Sequence, residues 1–111
     1  MVRFNPFRKD PNAQPPSEVR ILELKVEPWE GSKRYKVMVR LTPFQKPPNL
    51  NFKLLGQAGD SLGELAIIEN IDTDLIVTLH QRKPDSVAAK VEVDVFYDAD
   101  GIVDSQTCTV D

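Results

Sequence analysis

The stretch "AKVEVDVFYDADGIVD", Ala89–Asp104, is the key to the architecture of this 111-residue chain. Val91, Val93, Val95 and Tyr97 occupy every second position, and Glu92, Asp94 and Phe96 fill the gaps. Successive side chains of a strand point to opposite faces, so this spacing predicts a strand with one buried face. At "DADG" the alternation stops. Aspartate tolerates left-handed backbone and glycine adopts positive φ without strain, so Asp98–Gly101 predicts a hairpin turn. The chain then resumes as "IVDSQTCTV", the returning strand.

The same period of two runs backwards from this hairpin. "VRILELKVEP" predicts a strand burying Leu22, Leu24 and Val26, and "KRYKVMVRLTP" one burying Tyr35, Val37, Val39 and Leu41. "NLNFKLLG" offers Leu50, Phe52 and Leu54, "LGELAIIEN" offers Leu65 and Ile67, and "DLIVTLHQR" offers Leu75, Val77 and Leu79. Valine, isoleucine, threonine and aromatic residues dominate these runs, as half-buried pleated surfaces favour. Proline, glycine, asparagine and aspartate cluster between them, and such residues make turns. No stretch sustains the i, i+3, i+4 spacing of a helix. Seven short strands predict an all-β, seven-stranded antiparallel two-sheet sandwich of Greek-key order.

The first seventeen residues differ. "MVRFNPFRKDPNAQPPS" holds four of the nine prolines and no apolar period. Proline fixes φ and lacks a donor, so residues 1–17 predict an extended arm and residues 18–111 the sandwich domain. The layout over residues 18–110 resembles the immunoglobulin-like and fibronectin type III sandwiches. It departs from antibody domains in its lone Cys108 and in Trp29, which falls in the first turn. "TPFQKPPNLNFKL" and "AIIENIDTDLIVTLHQR" are also similar to short bacterial sandwich proteins without assigned activity. That resemblance implies the fold and supplies no catalytic residues.

Composition narrows the function. An apolar share of 41% and a charged share of 28% are those of an ordinary globular domain. No apolar run has the length of a transmembrane helix. The proline-broken start "MVRFNPFRKD" lacks the apolar core expected of a secretory signal. A single cysteine makes no internal disulfide, and the expectation is a reducing, cytoplasmic location. Residues 1–48 carry a net charge of +5 and residues 49–111 a net of −8. The pI near 5.1 argues against nucleic acid as a partner.

The chemistry-bearing residues are few. His80, the only histidine, falls out of phase with Leu75, Val77 and Leu79 and is expected on the outer face beside Thr78. Cys108 shares parity with Ile102 and Val110, a core-facing position where free thiols are usually inert. No nucleophile elbow, phosphate loop or histidine-rich metal motif occurs. The expectation is therefore a non-catalytic module with no resident cofactor, and a small hydrolase is the remote alternative.

Two loop clusters remain. In Greek-key order one rim gathers Asp72, Asp74, Asp98 and Asp100 beside Phe44, Gln45 and Lys46. Carboxylates on loops are what calcium uses, so a calcium- or carbohydrate-binding module is the alternative reading, with calcium as its metal. The opposite rim collects Trp29 and Arg82, residue types common at binding hot spots. With Phe4 and Phe7 of the arm, Phe44 and Lys46, they form the expected contact set for a protein partner or a homodimer. The strands Glu18–Glu27 and Ile102–Val110 are the expected open edges.

Overall fold

A computed structural model describes residues 11–29, 32–83 and 85–110. Its described part is a two-sheet antiparallel sandwich of seven strands, β1(Ile21–Pro28), β2(Arg34–Leu41), β3(Asn49–Gly56), β4(Ser61–Ile67), β5(Asp74–His80), β6(Ala88–Tyr97) and β7(Gly101–Thr109). The only helical element among these residues is one 3-10 turn, Pro16–Glu18. One sheet has the order β1-β2-β5 and the other β4-β3-β6-β7. The chain crosses between sheets after β2, β4 and β5, while β1–β2, β3–β4 and β6–β7 are hairpins.

The alternation explains the core. Val37, Val39 and Leu41 of β2 face Leu50, Phe52 and Leu54 of β3 and Val91, Val93 and Val95 of β6, all at most 3% exposed. Removing this much apolar surface from water is the main force holding the sheets together.

One-residue register shifts interrupt four of the five ladders. The extra residues are Leu22 in β1, Leu62 in β4, Ala89 in β6 and Val103 in β7. Each shift turns the residues beyond it to the other face. Leu22, expected in the core, is 58% exposed, and Val19 and Ile21 are buried instead. Ile102 is 63% exposed for the same reason. Beyond the shift, Asp104, Gln106 and Cys108 stand opposite the buried Val95, Val93 and Val91.

The first two of these polar side chains close one side of the sandwich, where β7 lies against β1. The Ile21 N–H donates to the Asp104 carboxylate at 2.7 Å, and Gln106 Nε2 donates to the Ile21 carbonyl at 2.8 Å. A carboxylate and an amide thus supply what a neighbouring strand would give Ile21. On the other side, the Arg82 N–H donates to the Leu62 carbonyl at 2.7 Å. There Gly63 lies so close to the His80 carbonyl that no Cβ fits.

Ala13 and Gln14 dock on the chain's own β2–β3 connection. The Gln14 N–H donates to the Pro43 carbonyl and the Gln45 N–H to the Gln14 carbonyl, both at 2.9 Å, in a parallel bridge with Phe44.

Candidate functional site

The acidic rim forms where the connections 42–48, 68–73 and 98–100 emerge together. The turn 98–100 is closed by Gly101 at φ 74°. Asn70, itself buried, ties the neighbouring loop: its Nδ2 donates to the Asp72 carbonyl at 2.7 Å, and its Oδ1 accepts from the Asp72 N–H at 3.2 Å. Asn49 Oδ1 accepts from the N–H of Glu69, which holds a left-handed φ of 52°. The Tyr97 hydroxyl donates to the Lys46 carbonyl at 2.9 Å. Burial, and secondarily the Asp100 carboxylate, push this phenol from 10.0 up to about 12.

Between these loops lies an open depression of about 350 Å³, walled by Lys46, Pro47, Ile68, Glu69, Tyr97 and Asp98. Asp72, Asp74, Asp98 and Asp100 are all exposed. They do not converge: among the described residues no group of three or more His, Cys, Asp or Glu is gathered as a metal site. Asp74 lies on β5 opposite Arg40. Asp98 and Asp100 flank the hairpin turn.

The expected contact residues scatter. Phe44 corrects the reading most plainly: at 4% exposure it belongs to the core, and its backbone bridges to Gln14. A loop position had suggested exposure. Lys46 is exposed. Phe4 and Phe7 lie outside the described residues.

Trp29 is 45% exposed at the opposite end. Its cation is Arg34, 4.9 Å from the ring centroid. The hairpin creates this pair, since the Trp29 N–H donates to the Arg34 carbonyl at 2.9 Å. Arg82 instead borders a groove of about 300 Å³ along the β4–β5 seam, with Glu64, Thr78 and His80. Beneath Trp29's end, buried Gln81 accepts from the Tyr35 hydroxyl at 3.1 Å and donates to the carbonyls of Lys83 and Ser86.

His80 sits exposed at one edge of the three-stranded sheet, on the outward face of β5. Cys108 sits half-buried on β7, at the far edge of the other sheet. Two exposed residues escaped the sequence reading, Arg34 and Ile76. The second left a trace: Ile76, 67% exposed, is an apolar residue at an outward position of "DLIVTLH".

No family model and no curated protein sequence matches the chain. Solved structures do resemble it. A β-glucuronidase from Ruminococcus gnavus in complex with N1-substituted uronic isofagomine matches at TM-score 0.54 and 12% identity, over 83% of this chain and 16% of that one. The same enzyme in complex with D-glucuronic acid matches at TM-score 0.52 and 11% identity, over 83% and 16% of the two chains. A β-glycosidase from Bacteroides vulgatus matches at TM-score 0.52 and 13% identity, over 83% and 13%. This chain therefore spans about a sixth of their length or less. The likeness is one of fold: a β-sandwich of the kind found as one part of these glycosidases.

Among the described residues no helix is long and apolar enough to cross a membrane.

Proposed function

We propose that the chain is a non-catalytic interaction module of immunoglobulin-like or fibronectin type III-like type, working through its surface in a reducing compartment. The exposed Trp29 under Arg34 carries this reading. An aromatic ring prepacked with a guanidinium offers a partner a large, stiff contact at little entropic cost, and Trp and Arg dominate protein interfaces. The placing of His80 on β5 and Cys108 on β7, at the far edge of the other sheet, supports the same view, because a thiol–imidazole pair needs the two groups within hydrogen-bond reach.

The test is affinity capture from native cells with the full chain and its Trp29→Ala variant side by side. A partner held by the first and lost by the second supports the proposal. Identical captured sets from both chains contradict it.

The glycosidase neighbours favour a second reading, a carbohydrate-binding module accompanying such enzymes, with calcium on the acidic rim. Calorimetry with D-glucuronic acid and with calcium, on the full chain and on Asp72→Asn and Asp98→Asn variants, separates the two. Heat lost in the variants would favour the second reading, and absence of heat would remove it.

A further inference from the structure

The sandwich has four edge strands, and three of them are defended. A bare edge presents unpaired peptide groups to any other strand, and proteins blunt it with charges, bulges or proline. On β1 the defences are the shift at Leu22, the charged Glu23, Lys25 and Glu27, the terminal Pro28, and the Asp104 and Gln106 side chains on Ile21. On β4 they are the shift at Leu62, then Gly63 and Glu64. On β7 they are the shift at Val103 and the carboxylate of Asp104.

The β5 edge has only Asp74, at its first position. Its ladder with β2 runs from Asp74 to His80 without a shift, and Leu75–Leu79 contain no charge, proline or glycine. The ends of the ladder fix its phase. The Leu41 N–H donates to the Thr73 carbonyl and the Gln81 N–H to the Lys33 carbonyl. Odd-numbered residues of β5 therefore turn their peptide groups to β2, and Asp74, Ile76, Thr78 and His80 turn theirs away. The His80 carbonyl meets Gly63. Among the described residues, nothing pairs with the outward peptide groups of Asp74, Ile76 and Thr78. The groove at Thr78 leaves space beside them.

We infer that β5 is a self-pairing edge: β5 of a second copy adds antiparallel to it, Ile76 opposite Ile76, making one six-stranded sheet. This deepens the interaction-module reading and rests on it. The register comes from the free groups, because pairing Asp74 with Thr78 and Ile76 with itself uses all three outward peptides and spares His80. It is also self-complementary, as a twofold contact requires. The two Ile76 side chains cover each other beside Met38, their neighbour on β2. Asp74 meets Thr78 across the new ladder, with Arg40 beside it on its own sheet. No like charges face one another.

Sedimentation of the full chain from about 1 μM to about 1 mM reads the association directly. The expected result is a concentration-dependent dimer, weakened about tenfold or more by Ile76→Lys and unchanged by Leu22→Lys on the defended edge. Both positions are exposed, so neither change threatens the fold. Register is read by oxidation in a Cys108→Ser background. A hydrogen-bonded antiparallel pair has its Cα atoms roughly 5.5 Å apart, within disulfide range. Ile76→Cys should cross-link to itself, and Asp74→Cys should not. A monomer throughout, a dimer indifferent to Ile76→Lys, or cross-linking through position 74 instead of 76 would overturn the inference. A monomer that still holds a Trp29-dependent partner would remove only this inference and leave the interaction module standing.

Discussion

Ile21 and Leu22 are neighbours with opposite fates, one 4% and the other 58% exposed. Truncating a buried isoleucine removes its burial and leaves a cavity, so Ile21→Ala should cost about 2–5 kcal/mol. Leu22→Ala should stay within about 0.5 kcal/mol, because an exposed side chain has little to lose. Chemical denaturation of both variants checks this, and equal losses would return Leu22 to the core. Tyr97 makes a second prediction at this scale. Its phenol is held neutral up to about 12, against 10.0 for a free tyrosine. A raised folded pKa means that the folded state keeps its proton longer. The associated stability is complete below pH 10 and is lost as the pH climbs to about 12. Tyr97→Phe should lack that alkaline loss, and the difference in phenolate absorbance between the two proteins should titrate near pH 12.

The elements were legible in the sequence because a strand with one wet face prints its period directly. All seven runs became strands, and the hairpin at Asp98–Gly101 stands where the alternation broke. The register shifts were hidden, since one extra residue changes the face of its neighbours without altering their identity. On β7 the shift at Val103 parts Ile102 from the row it was read with: Ile102 turns outward, while Asp104, Gln106 and Cys108 stand opposite the buried Val95, Val93 and Val91. The candidate site suffered likewise. The acidic loops were placed at one end, but Phe44 belongs to the core, and its backbone bridge to Gln14 is a long-range pairing that no local pattern encodes. The seams make their own predictions. Asp104→Ala leaves the Ile21 N–H without its acceptor and should cost about 1–3 kcal/mol. Asp104→Asn keeps an oxygen there and should cost less. Gly63→Ala pushes a methyl group into the His80 carbonyl and should cost about 1–3 kcal/mol by overcrowding. Thermal melting of these variants checks both, at roughly 4 °C per kcal/mol.

In the molecule as a whole, the sandwich is stitched shut where β1 meets β7 and left open along β5. In the proposed self-pairing, that asymmetry sets the direction in which two copies would meet. The acidic rim adds a second expectation. With no ligand group assembled among the described residues, millimolar calcium should leave the melting temperature unchanged. A rise abolished by Asp98→Asn would speak for the metal-binding alternative. The contrast between the stitched and the open edge is tested by residue-resolved amide hydrogen exchange at low and high protein concentration. The Ile21 amide, bonded to Asp104, should be protected at both concentrations. The Ile76 and Thr78 amides should exchange quickly when dilute and become protected as concentration rises. Fast exchange at Ile21, or protection of Ile76 and Thr78 at the lowest concentration, would contradict that contrast.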